Sequence, residues 1–182
     1  MWKVTLLALV LAACSNDSAN SSAAPPPVIG FEELQRSGWT EKEQANVEVV
    51  STFVQLLMNN HDFEQVLARF NNDSYVQHNR NLPDGIDGLV GFLTEFVSEY
   101  PEYSYDVKHI SADGDYVVFH SHATLKEADR GNDQKGMNIV DTWRLEEGRI
   151  VEHWDAIQPL DGLMRIYVLL NGGDIQNSNG VF

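Results

Sequence analysis

One cysteine, Cys14, stands in 182 residues, so no disulfide can close within the chain and redox-thiol chemistry lacks its second sulfur. Also missing are the Gly-x-Ser-x-Gly of serine hydrolases, a phosphate-cradling glycine loop and any Cys-x-x-Cys. With them go nucleophilic-serine, nucleotide and dinucleotide chemistries. Basic residues are scarce: 12 Lys and Arg against 27 Asp and Glu leave a formal charge of −15. Such a chain repels polyphosphates and anionic bilayers, so nucleic acid is not an expected partner. The apolar run near the N-terminus, Val4–Ala13, is too short to span a bilayer. What is present is 43% hydrophobic and 10% aromatic residues, enough for one domain with a substantial core.

The start of the chain has its own logic. Met1-Trp2-Lys3 followed by the apolar run has the layout of a secretory signal. The run ends in Leu11-Ala12-Ala13-Cys14, which resembles the lipobox of bacterial lipoproteins. That resemblance implies that residues 1–13 are removed and that Cys14 is lipidated. The chain would then be anchored in the bacterial cell envelope, touching membrane through the lipid only. Ser15 after the cysteine favours the outer membrane and its periplasmic face. Residues 14–38 read as a tether, Ser/Asn/Ala-rich and then Pro-rich up to Pro27, although no pattern assigns residues 28–38.

The expected domain is 39–160, with 161–182 as a C-terminal tail. Thr40 and Glu43 form a capping box, and Val47, Val50, Val54, Leu57 and Met58 recur at helical spacing, predicting a helix over Glu41–Asn59. Shorter helices are expected at Phe63–Phe70 and Ile86–Glu99, the latter closed by Pro101. Between them lie an extended segment, Tyr75–Asn79, and a turn at Pro83-Asp84-Gly85. After Pro101 the period changes to two. Strands are predicted at Tyr103–Ser111 and Tyr116–Lys126, joined at Asp113-Gly114, and then in a hairpin over Asn138–Gln158 that turns at Glu147-Gly148. Helices first and four antiparallel strands after them indicate an α+β fold. Leu163–Leu170 is apolar enough to dock as a short helix or an extra strand.

The last hairpin concentrates the chemistry. Met137, Ile139, Asp141, Trp143 and Leu145 share one strand face, so Asp141 is the only acid on an apolar surface. A carboxylate is costly to keep charged there, which suits it to taking and returning protons. The return strand places Val151, His153, Asp155 and Ile157 on one face and Trp154 on the other. His120 and His122 share a face of their strand, and they are the histidines expected to meet Asp141 and His153 in a pocket. His109 falls in phase with Tyr103, Tyr105 and Val107 and is expected to be structural; His61 is read as a helix-terminus residue. A rival reading takes His120-x-His122 with Glu127 as a cupin-like divalent-metal motif, but a third positioned ligand and the motif's second half are missing.

Several stretches together carry a resemblance. They are Tyr75-Val76-Gln77-His78-Asn79 with Pro83-Asp84-Gly85, Asp113-Gly114-Asp115 with Val118–His122, and Val140–Leu145. Gly148–Asp155, Gln158-Pro159 and the terminal Asn179-Gly180-Val181-Phe182 complete the set. The chain resembles the SnoaL-like (polyketide cyclase) branch of the NTF2-like superfamily over roughly residues 40–160. The resemblance implies an NTF2-like cone, a curved antiparallel sheet wrapped by three N-terminal helices around a pocket, commonly dimeric through the outer face of the sheet. It also implies cofactor-independent aldol-type chemistry, with Asp141 as general acid/base and His120 or His122 assisting. By the same resemblance His78, Asn79, Trp143, His153 and Trp154 would line the cavity. A non-catalytic binding protein for a small apolar ligand is the alternative, and no resident metal or cofactor is expected under either. Leu163–Gln176 stands apart as an insertion relative to the family.

Overall fold

The computed structural model describes residues 25–162, together with Ile166 and Leu170. The expected signal segment, Cys14 and most of the tail, including most of Leu163–Gln176, lie outside the described residues. The order is α1 (Phe31–Leu34), α2 (Glu41–Val54), a π-helical turn (Gln55–Asn59), α3 (Phe63–Phe70), β1 (Val76–Gln77) and α4 (Gly85–Glu99). Then follow β2 (Ser104–Asp113), β3 (Tyr116–Thr124), a 3₁₀ turn (Glu127–Asp129), β4 (Met137–Glu146) and β5 (Arg149–Pro159). The strands form one five-stranded sheet in the order β1-β5-β4-β3-β2. The fold is α+β, as the change of period implies.

Thr40 caps α2 as its spacing with Glu43 predicts, each side chain bonding the other's backbone N–H. Glu43 reaches further, accepting from the backbone N–H of Gly114 in the β2–β3 turn at 2.9 Å. This bond leads the causes that lower the Glu43 carboxyl below its usual range. Val47, Val50, Phe53 and Val54 are then buried against the sheet, where α2 packs on β2 and β3. From α4, Ile86, Leu89, Val90 and Leu93 complete the core.

Three local departures from the sequence reading shape the site. The helix expected to run to Asn59 widens into the π turn, with the Asn60 N–H bonding the Gln55 carbonyl at 2.9 Å. Asn59 then meets the sheet. Its buried amide donates to the Tyr105 carbonyl (2.9 Å) and accepts from the Tyr105 N–H (2.7 Å). Second, β1 pairs in parallel with β5, Gln77 opposite His153, so the sheet is mixed rather than wholly antiparallel. Third, a bulge at Lys108 shifts the β2 register, placing His109 opposite His120 instead of in phase with Tyr105.

Residues 29–34 also belong to the folded unit. Ile29, Phe31 and Leu34 pack on the core, and the Ile29 N–H bonds the Gln55 side chain at 2.9 Å. These contacts lie within the stretch 14–38 expected to be a tether.

Candidate functional site

A cavity of about 240 Å³ lies between the sheet and the helices. The α2 and π-turn side chains Phe53, Leu57 and Met58 close one side, and Leu89, Leu93 and Phe96 of α4 close another. Its wall is mostly apolar, and the described residues lining it include no lysine or arginine. Its two acids and its histidine sit on the wall formed by β4 and β5. There the antiparallel register sets Asp141 opposite Asp155 and Trp143 opposite His153.

Asp141 is 3% exposed and His153 6%. The Tyr105 hydroxyl donates to Asp141 Oδ2 at 2.5 Å. His153 Nε2 lies 3.1 Å from Asp141 Oδ1, and its Nδ1 lies 3.0 Å from Gln77 Oε1. The imidazole is stacked on Trp143 with ring centroids 5.2 Å apart. Asp155 is half-buried and receives the Asn79 side-chain amide on both oxygens, at 2.8 and 2.7 Å. Two carboxylates paired directly across a sheet repel one another, so their hydrogen-bond donors are a condition of the fold.

The surroundings hold the phenols neutral. Burial, more than any charge, pushes the Tyr105 hydroxyl well above its ordinary range, and the Asp141 carboxylate pushes it further. Tyr75 and Tyr103 are raised for the same two reasons in the same order. Three protonated phenols and two carboxylates therefore line one end of an apolar chamber, an arrangement able to accept, hold and return a proton.

Asp141, His153, Trp143 and Asn79 from the sequence reading all line this cavity. His120 and His122 do not, which corrects the expectation that they share the pocket. Phe119 is the residue of β3 that faces Asp141 across the sheet, so His120 and His122, one and three positions on, point to the other side. His120 instead meets Asn138 Oδ1 at 2.6 Å and stacks on His109, and His122 lies 2.8 Å from the Lys135 carbonyl. His78 and Trp154 are likewise on the outer face, stacked on each other at 4.5 Å, with His78 3.5 Å from Glu152. The cupin-like set falls with this placement. Among the described residues, the grouping with donors close enough to hold a cation is Asp141, His153 and Asp155, within 4.8 Å of one another. Here those donors are engaged with Tyr105, Asn79 and each other.

Sequence reasoning missed Tyr75, Tyr105, Gln77 and Asp155 as site residues. Asp155 was within reach, because it shares strand phase with His153. Tyr105 was not, because its contact with Asp141 depends on how strands two apart are brought together.

The comparisons agree with this architecture. A Bacillus cereus ATCC 10987 protein provisionally described as a polyketide cyclase is 18% identical, covers 66% of this chain and 79% of its own, and superposes with a TM-score of 0.53. A Jannaschia sp. CCS1 protein provisionally described as a SnoaL-like polyketide cyclase is 16% identical over 73% of this chain and 96% of its own, with a TM-score of 0.53. AclR of Streptomyces galilaeus, provisionally described as a hydroxylase, is 18% identical over 74% and 89%, with a TM-score of 0.52. At such identities these structures share the fold and no more. No curated protein matches the chain significantly in sequence. The SnoaL-like domain model matches residues 50–153, which reach from the middle of α2 to His153 and so take in Asp141, Tyr105 and Gln77, and the chain belongs to the SnoaL-like domain family.

Proposed function

We propose that this domain is a cofactor-independent acid/base catalyst acting on a small, apolar carbonyl compound. The observation that carries this reading is Asp141, a buried carboxylate in the wall of an apolar cavity with Tyr105 on one oxygen and His153 on the other. Asp141 would remove a proton alpha to the carbonyl. The electrons left behind move to the carbonyl oxygen, where a neutral phenol is the fitting donor. Tyr75 serves well, because its hydroxyl accepts from Gln77 (3.2 Å) and keeps its own proton to give. Among the described residues the lining has two acids and no lysine or arginine, which argues against carboxylate or phosphate substrates.

The mostly apolar wall also supports a second reading, a non-catalytic carrier of an apolar ligand in the same cavity. In either case we place the domain in the bacterial envelope, held by a lipid on Cys14 and facing the periplasm, and working as a homodimer through the outer face of the sheet.

Proton exchange separates the two readings. The purified protein is incubated in deuterated buffer with a panel of small apolar ketones and aldehydes, and loss of their alpha protons is followed by NMR. Catalysis predicts exchange above the buffer rate that is lost in Asp141→Asn. A carrier predicts no exchange, with ligand affinity retained in Asp141→Asn.

A further inference from the structure

The segment just after β1 orients the site through its own backbone. Gln77 Oε1 accepts from the Asn79 N–H at 3.0 Å, and Gln77 Nε2 meets the Tyr75 hydroxyl at 3.2 Å. Turning the amide over would oppose two N–H groups, so the end that faces His153 is the oxygen. Asn79 repeats the device two residues on. Its Oδ1 accepts from the Asn81 N–H at 2.9 Å, which leaves its NH₂ for Asp155.

The consequence for His153 follows from donor counting. Gln77 Oε1 only accepts, and it lies 3.0 Å from His153 Nδ1, so Nδ1 bears a hydrogen. The other ring nitrogen, Nε2, lies 3.1 Å from Asp141 Oδ1. A bare nitrogen against a bare carboxylate oxygen at that separation is repulsive, so a second proton lies between them. Tyr105 cannot supply it, since its hydroxyl is spent on Asp141 Oδ2. Without Gln77 the imidazole would need one hydrogen only, on Nε2 and directed at Asp141.

We propose that Gln77 is a positioning residue that locks His153 with Nδ1 protonated, so that the Asp141–His153 contact stores one proton more than an unassisted His–Asp pair. The inference deepens the acid/base reading of this cavity and gives the site a stored proton at its base. Gln77 is not among the residues that line the cavity; it acts through the side chains it holds, His153 for this proton and Tyr75 on its other end.

The test reads protonation directly and needs no substrate. The purified protein is labelled with ¹⁵N-histidine, and the ring nitrogens of His153, assigned by comparison with His153→Gln, are followed at neutral pH. The wild type is expected to show Nδ1 in the protonated region. Gln77→Leu is expected to move Nδ1 to the unprotonated region, and Gln77→Glu, which keeps an acceptor oxygen, to return it. Circular dichroism and the untouched signals of His61 and His109 show whether each variant is folded. Nδ1 found unprotonated in the wild type, or still protonated in folded Gln77→Leu, would overturn the proposal. Because the readout is independent of turnover, the lock can hold while the exchange assay fails, and the two failures are told apart.

Discussion

Tyr105 and Asp141 sit on strands that do not touch, with β3 between them, yet the phenol donates to the carboxylate at 2.5 Å. The bond reaches over β3 on the face of the sheet that lines the cavity. Burial keeps that phenol protonated, so it holds the carboxylate in place without competing for its proton. Tyr105→Phe removes this hold and leaves the cavity's shape. Alpha-proton exchange is expected to fall by roughly tenfold to a hundredfold with ligand affinity little changed, the pattern of a lost preorganising hydrogen bond. An unchanged exchange rate would remove Tyr105 from the mechanism.

Asn59 is the brace behind Tyr105. Its amide satisfies both backbone groups of that residue, and Asn59→Leu would leave a buried N–H and a buried carbonyl without their partner. A loss of about 2–4 kcal/mol is expected in urea unfolding, from two orphaned buried groups. Aspartate in its place keeps the acceptor and drops the donor, so Asn59→Asp should be destabilised through the carbonyl side and through burial of a charge.

Gly136 precedes β4 with φ at +77°, and a Cβ there would lie 2.2 Å from the Ala123 carbonyl oxygen. The obstacle is backbone, so it cannot swing aside. Gly136→Ala is therefore expected to cost about 2 kcal/mol or more, combining the left-handed backbone with the clash. Thermal unfolding checks it, and a melting temperature equal to wild type would contradict the strand pairing described here.

His61 gives the protein a pH-dependent stability. Burial is the main cause lowering its pKa, against the opposing hydrogen bonds of Met58 and Tyr103. The folded state thus favours the neutral ring, while the unfolded chain takes a proton near the ordinary histidine value of about 6.5. Its contribution is whole above that value and declines as pH falls towards the lower folded value, where the unfolded state binds more protons. His61→Asn, which tolerates the positive φ of 50° at this position, should lose less stability between about pH 7.5 and about pH 5.5 than wild type does. Denaturant titrations at the two pH values decide it.

Within a strand the sequence is easily read, and between strands it is not. Asp141 and His153 could be placed from alternation alone, since each interrupts an apolar face. His120 and His122 alternate just as clearly, but alternation cannot say which of two faces looks inward. That is decided by Phe119 lying opposite Asp141, a matter of register. The Lys108 bulge breaks even the rule within one strand, moving His109 out of phase with Tyr105. The helices were legible to within the π turn, whose widening leaves no mark in the apolar periodicity. The β1–β5 pairing joins residues 76 positions apart by way of a two-residue strand, too short to show a period.

That brief parallel pairing decides when the site exists. Hairpins β2–β3 and β4–β5 can assemble from neighbouring segments, whereas β1 must travel back across the sequence to reach the sheet edge, an entropically slow step. Tyr105, Asp141 and Asp155 are in place once the hairpins have met, but His153 gains Gln77, and Asp155 gains Asn79, only when the edge closes. Peeling off two residues would therefore take the Gln77 and Asn79 contacts from His153 and Asp155 while leaving nearly all of the hydrophobic core packed. The orientation of the site's polar groups is thus less stable than the fold that carries them.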